Sequence, residues 1–139
     1  IILFNHMIEQ YNIEDFIFSS NYISFYDKLE KANFFIETMT ELINRDIDDR
    51  EIEFMLRKGI RDGGYWQNFV NLINKYGIVP EYVFPDTYSS SNTKELNELL
   101  SKYLRKFTIE IRKNKNKNNI NEIKEKTLQD VYNILSFTK

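Results

Sequence analysis

Apolar side chains recur at steps of three and four residues along most of this chain, the spacing of one buried face of an α-helix. The longest run is Phe25, Leu29, Ala32, Ile36, Met39 and Ile43, with Tyr22, Tyr26 and Phe35 widening the stripe. It predicts a central buried helix over about residues 20–44, and Ser19 stands where an N-cap hydroxyl can accept from the first orphan amides. A stripe of aromatics at this spacing reads as core, not as a cofactor box. The cleanest 3.6-residue period is Leu96, Leu99, Leu100, Tyr103, Leu104, Phe107 and Ile111, introduced by Asn92 and Glu95 at capping-box spacing. Ile120, Ile123, Thr127, Val131, Ile134 and Leu135 predict a last helix over about 120–136. Leu3, Phe4, Met7, Ile8 and Tyr11 predict an amphipathic helix over 1–11, with His6 on its polar side. Ile52, Met55 and Leu56, with Phe54, predict a short helix stopped at Gly59.

One stretch organises the middle of the chain: Asp62-Gly63-Gly64-Tyr65-Trp66. Two adjacent glycines open a helix whose buried face is Trp66, Phe69, Val70 and Ile73. Gly77 supplies a left-handed stop, and Pro80 follows where a finished helix tolerates it. Glycine admits positive φ and lets another backbone come close. The stretch therefore reads as a tight turn that exposes main chain and is locked to an anchored helix, which suits contact with an extended peptide. A plain helix N-terminus would also use Gly. Beyond Pro80, Tyr82 to Thr87 predicts an extended connector, with a helical turn before Pro85.

Composition narrows the function class. The chain has 139 residues, 42% hydrophobic and 15% aromatic, enough for a single domain with a real core and too apolar for disorder. With 4 Gly and 2 Pro, breakers are few and helices should be long. A net charge of −2 gives no general electrostatic case for nucleic acid or a membrane surface. No apolar run of about 18 residues predicts a membrane span. There is no cysteine, hence no disulfide framework, which is compatible with a reducing cytoplasm. The start, Ile1-Ile2-Leu3-Phe4, lacks the basic region of a signal peptide and reads as a helix already under way. Asp46, Asp48 and Asp49 lack the turn glycine of a calcium loop and read as a cap for the next helix, so no metal and no cofactor is expected. His6 reads as a solvated surface residue, since nothing near it can serve as its nucleophile. Arg112 to Asn119 alternates basic residues with Asn and reads as a flexible linker over 112–119 inside a single helical domain, 1–139.

Asp-Gly-Gly-aromatic-Trp followed by a helix ending Lys75-Tyr76-Gly77-Ile78-Val79-Pro80 resembles the papain superfamily, and more narrowly the aminopeptidase C / bleomycin hydrolase family. Asn12-Ile13-Glu14-Asp15-Phe16, Phe18-Ser19-Ser20-Asn21-Tyr22, Phe25-Tyr26-Asp27-Lys28-Leu29-Glu30-Lys31-Ala32-Asn33-Phe34-Phe35 and Phe84-Pro85-Asp86-Thr87 fit the same family in order. The match covers about residues 5–110. The resemblance implies a mainly α fold, the helix-rich left-lobe portion of a papain-like cysteine peptidase, with five to six helices and little or no strand. It implies an internal fragment lacking the catalytic Cys, His and Asn, so that no catalytic residue is assigned and the chain alone should be inactive. It implies a parent thiol protease, a cytoplasmic aminopeptidase that cleaves peptides through a thioester and assembles as a hexamer. The substrate-binding residues it implies are Asp62, Gly63, Gly64 and Tyr65, with the Gly64 main chain pairing with substrate backbone and Tyr65 walling the cleft. Loss of the other lobe should leave an apolar face that drives self-association. The competing expectation is a helical structural or protein-interaction domain without catalysis.

Overall fold

In the computed structural model, residues 19–61, 66–84 and 93–137 are described. Among them the chain forms five helices: α1 (Ser20–Glu41), α2 (Arg50–Lys58), α3 (Trp66–Tyr76), α4 (Thr93–Lys113) and α5 (Ile120–Phe137). The predicted helix over 1–11 and the Asn92 capping position lie outside the described residues, as does the Trp66 side chain.

Local bonds set several of the helix ends. Ser19 caps α1, its Oγ accepting the Tyr22 N–H at 3.0 Å. That hydroxyl also donates to the Phe84 carbonyl, and the Ser19 N–H reaches Val79 O at 2.9 Å, so the start of α1 is tied to the segment after α3. The α1 helix ends at Glu41, before the predicted residue 44: Leu42 N–H makes the last i→i−4 bond, to Thr38 O at 3.1 Å, and the Ile43 N–H tightens to Thr40 O at 3.3 Å. Asp49 caps α2, accepting from Glu51 N at 2.9 Å. Glu51 and Glu53 in the first turn and Arg57 and Lys58 in the last complement the helix dipole. Gly59 ends α2 with φ 56, and Gly77 ends α3 with φ 79, donating to Ile73 O at 2.8 Å. The segment before Pro85 makes the expected turn, Val83 N to Pro80 O at 3.1 Å and Phe84 N to Glu81 O at 3.2 Å.

The α1 helix is the hub: α3, α4 and α5 all pack on it, and α4 and α5 pack on each other. The core is built from Phe25, Ala32, Phe35, Ile36 and Met39 of α1, Leu96, Leu100, Leu104, Phe107 and Ile111 of α4, and Val131 and Leu135 of α5, with Ile52 and Ile60. Apart from Ile60, those are positions the helical period selects; Leu99, on the predicted stripe of α4, is instead half exposed. The buried hydroxyls of Thr108 and Thr127 donate within their own helices, to Leu104 O and Ile123 O. Polar ties cross between helices at the rim. Tyr103 donates to Asp130, joining α4 to α5, and burial followed by that carboxylate pushes its phenol well above the ordinary tyrosine range. Of the 112–119 stretch, Arg112 and Lys113 belong to α4, and the Arg112 guanidinium donates to the carbonyls of Leu42 and Arg45. Among the described residues no helix is long and apolar enough to cross a membrane.

Candidate functional site

Asp62, Gly63, Gly64 and Tyr65 lie outside the described residues, and so does His6. What the structure places are the two limbs between which the 62–65 stretch is strung. Both limbs are fixed by residues far away in sequence.

The incoming limb is Gly59–Ile60–Arg61. Ile60 is buried in the core, and its N–H donates to Ser101 Oγ of α4 at 2.8 Å. Arg105, one turn further along α4, donates its Nε to Leu56 O at 2.8 Å, satisfying an orphan carbonyl at the end of α2. On the opposite side, Lys31 Nζ of α1 donates to the Arg61 carbonyl at 2.6 Å, and the same ammonium pairs with Asp27 at 2.8 Å one turn earlier. The limb reaches the 62–65 stretch with its Ile60 N–H and its Arg61 carbonyl held from two different helices.

The outgoing limb is α3. Its last turn is bound to α1 by a compact polar and aromatic cluster. Lys75 Nζ and Tyr76 Oη both donate to Glu30. Tyr22 Oη donates to the Tyr76 carbonyl at 2.6 Å. The Tyr26 and Tyr76 rings stack at 4.0 Å with 17° between planes, and Tyr22 meets Tyr26 edge-on at 5.0 Å. Such ring pairs add roughly 0.5–1.5 kcal/mol beyond their buried area. Burial pushes the Glu30 carboxyl upward, but hydrogen bonds from Lys75 and Tyr76 outweigh it and hold the group below its ordinary value. Lys75 is pushed up, chiefly by its bond to Glu30. Tyr76 is pushed up by burial and then by the Glu30 carboxylate.

These shifts fix a pH dependence. Glu30 titrates lower in the folded chain than its ordinary 4.5, so its stabilisation is present above that value and is lost as pH falls through the folded value. Lys75 titrates higher than its ordinary 10.5, so its stabilisation is present below that value and is lost as pH rises through the folded value. A Glu30→Gln chain should melt below wild type between about pH 5 and 10 and converge with it at both extremes. Calorimetry of the two proteins across that range checks this; a constant difference at all pH values would remove the charge from the explanation.

Between the limbs lies a groove of about 770 Å³. Its lining is part apolar, from Phe34, Phe35, Met55 and Leu72, and part charged, from Asp27, Glu30, Lys31, Lys58, Arg61 and Lys75. Asn68 and Asn71 of α3 add amides. Among the described residues no group of three or more His, Asp or Glu side chains is arranged to hold a metal ion.

Glu30 and Lys31 fall in a stretch that carries the family resemblance, but neither they nor Ser101 and Arg105 received a role from the sequence. Each is a polar residue beside an apolar stripe, a pattern shared with every solvated helix face, so nothing local marked them.

The chain matches the Peptidase C1-like family over residues 2–138. It is 35% identical over 134 residues to aminopeptidase C of Lactobacillus helveticus, covering 94% of this chain and 30% of that protein. It is 39% identical over 142 residues to aminopeptidase C of Lactococcus lactis, covering 97% and 31%. It is 32% identical over 135 residues to bleomycin hydrolase of Gallus gallus, covering 93% and 30%. The crystal structure of PepW from Lactobacillus rhamnosis superposes with a TM-score of 0.85 at 41% identity, covering 95% of this chain and 30% of that one. The chain thus spans about 30% of the length of the relatives it matches.

Proposed function

The chain belongs to the Peptidase C1-like family, and from that premise we propose that it is part of a cysteine-type aminopeptidase, supplying one wall of the substrate cleft. The reaction is peptide hydrolysis by acyl transfer through a thioester, with residues released from the substrate's N-terminus. The nucleophile is not in these 139 residues, which contain no cysteine and one histidine, so the chain alone is inactive. Catalysis needs a thiolate and a base within hydrogen-bond reach of one another. The intact protein acts in the cytoplasm as a homo-hexamer.

The observation that carries this reading is similarity to proteins named aminopeptidase C and bleomycin hydrolase, along more than nine-tenths of the chain. The fold supports the same reading. The 62–65 stretch is bracketed by Arg61 and α3, whose residues line one groove. In that stretch Gly64 pairs its main chain with substrate backbone, Gly63 shapes the bend, Asp62 steadies it or meets the substrate amine, and Tyr65 walls the cleft.

The test is a peptide-hydrolysis assay of this chain beside the full-length product of its gene. Only the full-length protein should release N-terminal residues, and its activity should vanish on thiol alkylation. A full-length protein that leaves peptides with free amino ends intact would sink the proposal. In that protein Gly64→Val should lower kcat/KM by about 5–150-fold, the equivalent of roughly 1–3 kcal/mol for a lost main-chain bond and a side chain where the substrate lies. Unchanged turnover would remove Gly64 from substrate binding.

A further inference from the structure

The end of α2 and the first half of α4 border a second cavity, of about 420 Å³. Lys58, Arg61, Lys94 and Arg105 line it, against one carboxylate, Glu98. Among the described residues, no carboxylate lies within ion-pairing distance of any of these four cations. Both arginines are anchored by one nitrogen. Arg61 Nε donates to Lys58 O at 3.2 Å, and Arg105 Nε donates to Leu56 O at 2.8 Å. A guanidinium is a rigid fork of N–H donors, so the outer edge of each remains to be used. Arg105 Nη2 lies 3.4 Å from the point where a Cβ on Gly59 would stand, so the fork rests against bare main chain. Ser101 lines the same cavity and is 6% exposed. Its Oγ accepts the Ile60 N–H, and no described residue accepts its own proton. A buried hydroxyl normally has somewhere to donate.

We propose that this cavity is an oxyanion site for a phosphate-class ligand, either free phosphate or a phosphate carried on a small molecule. The site stands independently of the peptidase reading. Capping the end of α2 uses only the Nε atoms of the two arginines and leaves Lys94 and the Ser101 proton without a task. Cations gathered without a counter-charge repel one another, and a bound anion turns that cost into attraction. Arginine forks match the paired oxygens of an oxyanion, and the Nε anchors hold these forks ready before binding. Phosphate carries more charge than a single carboxylate and so suits four cations better. The Ser101 hydroxyl adds a neutral donor from the wall of the cavity. Glu98 weakens the field but leaves a positive excess. The cavity volume falls in the range of small-ligand sites.

The experiment titrates sodium phosphate and glycerol phosphate into the 139-residue chain by calorimetry, with sodium chloride and sodium acetate at matched ionic strength as references. Phosphate should bind at one site with a Kd below about 1 mM. Arg105→Lys keeps the charge and loses the fork, and should weaken binding about tenfold. Lys94→Gln should weaken it about fivefold. Lys94 is exposed on the first turn of α4, so this variant keeps the test open if Arg105→Lys fails to fold. Lys102→Gln removes an equal charge from α4 outside the cavity and should change the Kd by less than about twofold. Tighter binding of glycerol phosphate than of phosphate supports the site and assigns it a phosphorylated small molecule; the reverse order supports it and assigns the free ion. Equal heats from acetate or chloride would reduce the effect to screening and overturn the site. Binding that is unchanged in Lys94→Gln, or weakened equally by Lys102→Gln, would place the anion elsewhere and overturn it as well.

Discussion

Gly59→Ala should destabilise this fold by several kcal/mol, roughly, and more than Gly77→Ala. Two independent penalties meet at that residue. Its backbone sits at φ 56 and ψ −143, a region that residues with a Cβ adopt only under strain, at about 1–3 kcal/mol. A Cβ there would also lie 2.8 Å from Ser101 Cβ and closer still to Ser101 Oγ, with the Arg105 guanidinium at 3.4 Å. Ser101 cannot retreat freely, because it is buried on α4 and accepts the Ile60 N–H. Forcing atoms into a packed site costs a further 1–3 kcal/mol, roughly. A loss near 3 kcal/mol corresponds to a melting temperature lower by about 10 °C for a chain of this size. Gly77 is the internal control. It has φ 79, but a Cβ would meet nothing within 4 Å, so Gly77→Ala should carry only the backbone penalty of about 1–2 kcal/mol. Thermal unfolding of both variants checks this. Equal losses would mean that contact with Ser101 contributes nothing. The Gly59 contact also bears on the proposed cleft, since the same glycine starts the limb that reaches the 62–65 stretch.

How far the chain could be read before its structure follows from the range of each interaction. The caps at Ser19 and Asp49 and the stops at Gly59 and Gly77 are local chemistry, with partners two to four residues away, and all four were legible. The buried faces of α1 and α4 were legible because periodicity reports burial directly. Lys28 was not. It stands three residues after Phe25 on the buried face and is only 2% exposed, where a lysine is expected in solvent. Its Nζ reaches Asn97 Oδ1 at 2.6 Å, a partner 69 residues away that no local pattern indicates. Ser101 and Ile60, Lys31 and Arg61, and Glu30 and Tyr76 are also long-range pairs, so the framework around the candidate site was silent in the sequence. The site residues themselves, Asp62 to Tyr65, were marked by the Gly-Gly pair as a turn suited to an extended peptide, but their individual roles came from family resemblance. A Gly-Gly pair before a helix is compatible with an ordinary start.

Phe34 and Phe35 separate what periodicity says from what composition says. They are the same side chain at adjacent positions of α1, yet Phe35 is 2% exposed and Phe34 63%. Phe35→Ala should cost about 3–5 kcal/mol, because it removes a buried ring from the contact of α1 with its neighbours and leaves a cavity that the helices cannot close. That is a large share of the 5–15 kcal/mol that typically holds a domain together, so the variant should be partly unfolded near 40 °C, roughly. Phe34→Ala should stay within about 0.5 kcal/mol of wild type in this chain. The contrast has a functional side. Both rings line the groove between the limbs, Phe35 buried and Phe34 with most of its surface in solvent. If the groove is a working surface of the intact protein, Phe34→Ala in the full-length protein should change peptide KM while leaving the melting temperature of this chain untouched. Matching losses of stability from Phe34→Ala and Phe35→Ala, measured in urea, would instead mean that the 34 position is buried in solution and that α1 is rotated from the orientation described.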